Sequence, residues 1–264
     1  MQEQASAGFA GLLDRTDTIL ERLLSEVGKV GLLALGTIKA VGRVSFKDVL
    51  KEVETLGVRS LAVVLLTAVF TGMVLALQTS YGLTRFGAKM YVGYVVSLSL
   101  VRELGPVLTA LMVGGRVGSG IAAQLGSMTV TEQIDAMRVM GADPISKLVA
   151  PKTLAITLAM PLLAFLADIV GILGGAVVAT LELKIPAGYY LKTCYDTIVL
   201  EDLLSGLIKA GCFGFLIGLF GCFFGLGAKA GAQGVGKATT QAVVVTAVSV
   251  LISDYFLTKL IMLF

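Results

Sequence analysis

Five apolar segments, each long enough to cross a bilayer, constrain this chain more than any other feature of its sequence. A hydrocarbon core about 30 Å thick requires roughly 20 consecutive, mostly apolar residues in a helix. The segments predicted to span the membrane are Val58–Gln78, Met90–Ala123, Leu148–Leu181, Leu203–Leu226 and Ala242–Phe264. Apolar residues make up 56% of the chain. We therefore predict an all-α membrane protein with five transmembrane helices.

The first 56 residues precede these spans and are more polar. Residues 9–27 and 44–56 place apolar side chains at helical spacing with charged residues between them, and residues 30–41 are too short to span. We predict that residues 1–56 form amphipathic helices in the membrane interface, with a soluble helical hairpin as the alternative. Residues 57–264 would then form the spanning domain. No basic region followed by an apolar stretch opens the chain, so no cleavable signal is expected.

Several common chemistries lack the residues they need. The chain has no histidine, which excludes His-based nucleophile systems and His-ligated metals. Cys194, Cys212 and Cys222 lack the spacing of a zinc site or a disulfide framework. Residues 231–237, G-A-Q-G-V-G-K, resemble the start of a P-loop, but Ala238 replaces the hydroxyl that would bind Mg²⁺. We expect a tight turn there, and no catalytic residue, metal, cofactor or ATPase activity in this chain.

The distribution of Lys and Arg predicts an orientation in the membrane. With a cytoplasmic N-terminus, that side carries eight basic residues up to Arg59. It also carries Arg138, Lys147, Lys152, Lys229 and Lys237, whereas the opposite loops carry Arg85, Lys89, Lys184 and Lys192. The positive-inside rule therefore places the N-terminus and residues 124–147 in the cytoplasm and the C-terminus outside. The net charge of +3 and the absence of a basic run indicate no nucleic-acid partner.

Charged residues inside the predicted spans form the first candidate site. Arg102 and Glu103 lie in the second span and Lys209 lies in the fourth. Arg102 and Glu103 are adjacent, so on a helix they point about 100° apart and cannot simply neutralise each other. Charges at this depth normally face protein or water. The three groups could form a polar patch for an anionic headgroup or an ion-pair network between the two spans, and the residues alone leave both open.

Other polar and small residues in the spans predict packing. Arg116 and Asp168 form a possible pair between spans, for which a structural role is favoured, and Asp254 has no obvious partner. Gly105-Pro106 should kink or break the second span. The fourth span carries small residues at steps of three and four, namely Gly206, Ala210, Gly211, Gly214, Gly218, Gly221, Cys222 and Gly225. Such a face allows close helix packing, either static or sliding.

The polar stretch Gln124–Lys147 lies between the second and third spans. Its segment D-A-M-R-V-M-G, Asp135–Gly141, resembles the E-A-A-x-x-x-G core of the cytoplasmic loop by which ABC permeases dock on their ATPases. The acid-to-glycine spacing matches, while the downstream Pro151 comes three residues earlier than in that pattern. A short polar helix joined rigidly to two spans would transmit ATPase closure to the bundle. An ordinary amphipathic loop is the alternative.

Several motifs together resemble the MlaE/YrbE family, the permease subunits of ABC lipid transporters that work with MCE proteins. They are L-V-R-E-L-G-P-V-L-T-A-L (Leu100–Leu111), G-R-V-G-S-G-I-A-A-Q-L-G (Gly115–Gly126), T-E-Q-I-D-A-M (Thr131–Met137), D-P-I-S-K-L-V-A-P (Asp143–Pro151) and G-V-G-K-A-T-T-Q-A-V-V (Gly234–Val244). The likeness covers roughly residues 57–264, and the first 56 residues match only in character.

The resemblance implies an ABC permease-type bundle and a homodimer in the bacterial inner membrane. Two ABC ATPase subunits would bind ATP and Mg²⁺ and dock on the loop at residues 124–147, the coupling loop. A ring of MCE-domain proteins (MlaD-like) would sit on the outer side, and a STAS-domain protein (MlaB-like) would bind the ATPase. The assembly would move phospholipid or a similar lipid between the inner membrane and the ring, supporting outer-membrane lipid asymmetry.

The resemblance also implies roles for individual residues. Arg102, Glu103 and Lys209 would line or support a lipid cavity at the dimer axis. The ATPase-coupling residues would be Thr131, Glu132, Gln133, Asp135, Met137, Gly141, Asp143 and Pro144. A proton-coupled secondary transporter of an amphipathic solute, working through Glu103 and Asp168, is the alternative, although five spans without paired repeats argue against it. A lipid-modifying enzyme is disfavoured because the chain lacks histidine and a plausible acid pair.

Overall fold

The computed structural model describes residues 21, 24–229 and 231–263, which form helices and connecting turns with no β-strand among them. The predicted amphipathic helix at residues 9–27 lies mostly outside these residues. The main helices are α1 (residues 24–40), α2 (Phe46–Thr84), α3 (Lys89–Val130), α4 (Gln133–Val139), α5 (Ile145–Leu181), α6 (Ala187–Thr197), α7 (Leu200–Leu226) and α8 (Ala232–Ile261). Five of them, α2, α3, α5, α7 and α8, are long and apolar enough to cross a membrane. The prediction of an all-α membrane protein with five spans is confirmed.

The first span is longer than its apolar sequence. Helix α2 begins at Phe46 and continues into the span without interruption, passing through a π-helical turn at Val53–Gly57 and a 3₁₀ turn at Val58–Ser60. A π turn widens a helix by one residue without ending it, so the chain can change its hydrogen-bond register while remaining helical. Placement of the residues before the span in the membrane interface stays a prediction.

The last span begins earlier than expected. Helix α8 starts at Ala232, so Gly234 and Gly236 are helical and the tight turn predicted at residues 231–237 is confined to its first residue. The turn before the helix uses Gly231, whose φ of 88° lies in the left-handed region that favours glycine. Gly234 approaches the backbone of Lys229 so closely that a Cβ would not fit. The P-loop-like stretch therefore forms the start of a helix.

The sequence predicts a kink or a break of the second span at Gly105-Pro106. The break is wrong, and the kink stays a prediction. Helix α3 is continuous, and a π-helical turn at Leu100–Leu104 directly precedes the proline. A second π turn follows at Gly114–Gly118. Proline removes one backbone donor and crowds the preceding turn of an α-helix. The π turn occupies the position where that conflict arises.

The core forms where α7 packs against α5 and α3 through its small residues. A Cβ on Gly214 would lie 2.7 Å from the Ile156 carbonyl oxygen, and a Cβ on Gly218 would lie 2.7 Å from Thr153 Cα, both on α5. Gly221 and Gly225 lie against α3 in the same way. The predicted close-packing face is confirmed, and it contacts two helices. Around it lie buried apolar side chains that include Val113, Ile121, Ile156, Met160, Phe213 and Ile217.

Candidate functional site

Lys209 lies at the centre of a charged cluster formed by α3, α7 and α8. Its side chain is 1% exposed. Its ammonium donates to Glu103 Oε1 at 2.7 Å, to Thr258 Oγ1 at 2.7 Å and to the Arg102 backbone carbonyl at 3.0 Å. These bonds use all three donors of the ammonium group. Asp254 Oδ1 lies 3.5 Å from the same nitrogen, at ion-pair distance but without a hydrogen bond.

The sequence explains why the Arg102 carbonyl can accept a bond from another helix. In an α-helix this carbonyl would accept from the backbone nitrogen four residues later, which here belongs to Pro106 and carries no hydrogen. The π turn at Leu100–Leu104 places the carbonyl toward α7, where Lys209 supplies the missing donor. The proline predicted to break the helix therefore helps to fix Lys209.

Arg102 makes a second ion pair, with Asp202. Its Nε and Nη2 both lie 2.6 Å from Asp202 Oδ1. Asp202 is in the first turn of α7, seven residues before Lys209, and residues seven apart share a helix face. Asp202 is absent from the predicted site residues, although this spacing from Lys209 could have identified it. Arg102 and Glu103 therefore have separate partners, as their adjacent positions on a helix predict.

The structure brings the three predicted substrate-binding residues together. The ion-pair network that links the second and fourth spans is present, and Asp254 and Thr258 extend it to the last span. The side chains of Arg102 and Glu103 are 45% and 39% exposed, so these two residues form the accessible surface of the cluster. Lys209 is enclosed and acts on that surface by holding Glu103. A role of the three residues in binding lipid stays a prediction.

The predicted pair of Arg116 and Asp168 is wrong. Arg116 Nη1 donates instead to the backbone carbonyl of Arg59 and to Ser60 Oγ, where α2 has its 3₁₀ turn. Asp168 lies against Gly105, and its Oδ1 has no hydrogen-bond partner among the residues that the structure describes. The 3₁₀ turn of α2 thus supplies hydrogen-bond acceptors for the Arg116 guanidinium, which Asp168 was expected to supply.

The predicted coupling residues lie in and around α4, between the second and third spans. Glu132 has a φ of 60° just before α4, and Gly141 has a φ of 76° just after it. At the C-terminal end, Gly141 N donates to Arg138 O at 3.0 Å and Ala142 N donates to Met137 O at 3.0 Å, the two bonds of a Schellman cap. Both ends of the helix are therefore fixed by sharp turns.

Side chains tie these turns to the adjoining spans. Thr131 Oγ1 donates to Ser127 O at 2.8 Å and accepts from Gln133 Nε2 at 3.0 Å. Asp143 accepts from the backbone nitrogens of Ile145 and Ser146 at 3.0 and 3.3 Å, and Pro144 beside it is buried. The loop is thereby connected closely to α3 and α5.

Helix α4 presents most of its surface outward. Ile134 is its buried residue, at 3% exposure, and Met137 is half-buried. Asp135 pairs with Arg138 at 2.8 Å on the surface. Val139 and Met140 are 88% and 76% exposed, and neither is among the predicted coupling residues. Large apolar side chains at the tip of a polar loop suit a contact with another protein.

Five membrane-length helices, an enclosed ion-pair network between them and an exposed helix between two spans define a multi-pass α-helical membrane protein. A family model described as Permease MlaE matches residues 49–260. The chain belongs to the MlaE permease family.

Named relatives agree with this assignment. A probable ABC transporter permease protein of Rickettsia bellii is 43% identical over 241 residues, which cover 90% of this chain and 93% of the relative. The intermembrane phospholipid transport system permease protein MlaE of Haemophilus influenzae is 35% identical over 237 residues, covering 89% and 91%. The chloroplastic protein TRIGALACTOSYLDIACYLGLYCEROL 1 of Arabidopsis thaliana is 37% identical over 218 residues, covering 83% of this chain and 62% of the relative.

Proposed function

We propose that this chain is the membrane-spanning subunit of an ATP-driven transporter that moves phospholipid or a similar lipid, with ATP and Mg²⁺ bound by a separate ATPase subunit. Membership of the MlaE permease family supports the proposal. One relative carries the name of an ABC transporter permease, and another carries the name of an intermembrane phospholipid transport permease.

The observation that carries the proposal is the construction of the coupling loop. Helix α4 exposes Val139 and Met140 and is joined to two spans through capped turns. A protein docked on this helix can push on α3 and α5 together, because neither connection contains a long flexible segment. This is the arrangement that an ATPase outside the membrane needs to act on the bundle.

The charged cluster supports an amphipathic cargo. Asp202 engages Nε and Nη2 of Arg102, but the side chain is 45% exposed, so its Nη1 side can bind a phosphate oxygen. Leu104, two residues further along α3, contributes to a hollow of about 330 Å³ lined also by Phe70, Thr71, Val74, Leu75 and Gln78. In this proposal Arg102 binds the headgroup, Lys209 orients Glu103 beside it, and the hollow receives part of an acyl chain.

Membership of the MlaE permease family also supports a proposal for the assembly. We propose a homodimer in the bacterial inner membrane, with cytoplasmic N-termini, periplasmic C-termini and two ATPase subunits on the two coupling loops. A ring of MCE-domain proteins would accept or deliver the lipid on the periplasmic side, in support of outer-membrane lipid asymmetry. A STAS-domain protein would bind the ATPase.

The test is ATP-dependent transfer of a fluorescent phospholipid by the complex reconstituted in vesicles. The variant E132K/D135K reverses two exposed charges of the coupling loop, and it should lower both co-purification of the ATPase and transfer, because the docking surface changes sign. The matched control E182K/D196K reverses two exposed acids outside the loop and should behave as wild type. Normal docking and transfer in E132K/D135K would contradict the docking role. Lipid movement by the chain alone under a proton gradient would favour the secondary transporter.

A further inference from the structure

A second buried lysine, Lys152, joins three helices at the base of the coupling loop. It is 2% exposed. Its Nζ lies 2.7 Å from Glu52 Oε1 on α2 and 2.9 Å from Gln124 Oε1 on α3. Lys152 itself belongs to α5. We call these three residues the Lys152 junction. In the sequence, Lys152 contributes only to the count of basic residues on the predicted cytoplasmic side.

The Lys152 junction connects the two ends of the coupling loop to each other. Gln124 lies on α3 shortly before the chain leaves the span at Val130. Lys152 lies on α5 directly after the π turn Ile145–Val149, where the chain has returned from α4. The bond between Lys152 and Gln124 therefore closes the loop at its base, so that the incoming and outgoing helices are held together.

The same lysine connects the loop to the first span. Glu52 is the last residue before the π turn Val53–Gly57, the irregular segment through which α2 enters the span. The ion pair thus joins two residues that each lie next to a π turn, one on α2 and one on α5. Helices adjust their register at such turns, and π turns occur frequently at functional sites. A displacement of α5 at Lys152 is passed to α2 at the point where α2 changes register.

A buried ion pair contributes to the free energy of folding differently from ordinary apolar packing. Replacement of a buried ion pair by apolar residues of similar volume is often neutral or stabilising, whereas removal of one partner costs about 3–5 kcal/mol. Stability therefore does not require a lysine here. A compact ammonium group can, however, fix acceptors from two other helices at defined distances, which apolar contacts do not do.

We propose that Lys152 is a positioning residue that holds both ends of the coupling loop and the start of the first span in one register, so that movement of α4 reaches α2. The inference rests on the proposed function, because α4 moves in this sense only if an ATPase docks on it. It adds to that function a connection from the loop to the first span.

The test compares lipid transferred per ATP hydrolysed in the reconstituted complex. The variant E52L/K152M removes both charges with similar volume. The ratio should fall at least about fivefold, the lower end of typical coupling energies between sites. Its thermal stability should match or exceed that of wild type, and the ATPase should still co-purify. K152R, which keeps the positive charge, should retain more of the ratio than E52L/K152M. The control K51M/E54L changes the same residue types at exposed positions of α2, outside the coupling loop, and should keep the wild-type ratio.

A wild-type ratio in E52L/K152M would overturn the inference and leave the proposed function intact. A wild-type complex without ATP-dependent transfer would overturn both. If E52L/K152M does not accumulate, Q124L is measured instead, since it keeps the ion pair and removes only the bond to α3. A lowered ratio in folded Q124L supports the inference, and a wild-type ratio overturns it.

Discussion

At the scale of single residues, the enclosed Lys209 donates to a carboxylate, a hydroxyl and a backbone carbonyl from two other helices. Arg102, Glu103 and Lys209 can be recognised in the sequence because they interrupt apolar segments. Thr258 has no such signal, because its contact with Lys209 depends on the relative register of two helices. The buried position of Lys152 could not be predicted from the sequence for another reason. A lysine near the end of a span usually extends toward the headgroups, whereas this one is enclosed.

Two substitutions in the cluster should separate stability from transport. We expect K209A to destabilise the protein by about 3–5 kcal/mol, because it leaves Glu103 and Asp254 without their cation. R102A should be less destabilising, since this side chain is partly exposed. R102A should lower lipid transfer at least about tenfold, because a hydrogen bond to a charged group contributes roughly 1.5–3 kcal/mol. Thermal unfolding in detergent and the transfer assay measure the two effects.

R102K is the control, because it keeps a cation without the planar fork. Its rate of lipid transfer should fall between those of R102A and wild type. Transfer by R102A at the wild-type rate, in protein that is folded and bound to ATPase, would remove Arg102 from the lipid site.

At the scale of helices, the number of spans follows from hydropathy, but their ends do not. The amphipathic pattern of residues 44–56 looks like a separate helix because its charges differ from the apolar span that follows. The backbone nevertheless stays helical through Gly57, where a π turn changes the register. At the other end of the chain, glycines indicate a loop, yet Gly234 and Gly236 lie in α8. Glycine marks close backbone approach as well as turns, and sequence alone does not distinguish the two.

The glycine face of α7 offers a matched pair of substitutions. G214A should place a Cβ 2.7 Å from the Ile156 carbonyl oxygen, so α5 and α7 must move apart. We expect a loss of about 1–3 kcal/mol, typical of overpacking. G211A is the control, because the nearest atom to its Cβ is Pro161 Cγ at 3.7 Å, an ordinary contact. Thermal unfolding of the two variants in one detergent gives the comparison, and equal melting temperatures would show that the helices are not closely packed at Gly214.

At the scale of the whole molecule, polar contacts divide the bundle into two parts. The Lys209 cluster joins α3, α7 and α8, and separating these helices would strand charged groups in a medium without water. By contrast, the spanning part of α2, Leu61–Thr84, has no side-chain hydrogen bond or salt bridge to another helix among the described residues. It packs on α5 through glycines such as Gly72 and Gly174. We therefore expect α3, α7 and α8 to move as one body and the outer half of α2 to move against it.

Spin-label distances can test this division. Labels at Tyr81 on α2 and Leu200 on α7 should change separation between nucleotide-free and ATP-bound complexes, whereas labels at Leu204 on α7 and Tyr255 on α8 should not. All four positions are exposed. Labelled chains are diluted with unlabelled chains so that only distances within one chain are measured. A change confined to the second pair would contradict the division.

The native cysteines leave this experiment practicable. Cys222 is buried, and burial raises the pKa of the Cys194 thiol to about 11, so both should react slowly near neutral pH. Cys212 is partly exposed and would be replaced by serine.

Helix α4 has a consequence for the evolution of this family. Ile134 is the buried residue of α4 in its own chain, and the rest of the helix faces outward or is half-buried. Its ends are fixed by backbone turns at Glu132 and Gly141. Outward-facing side chains can therefore be exchanged at little cost to folding. Specificity for the proposed docking protein can therefore change between members of the family while the membrane bundle remains the same.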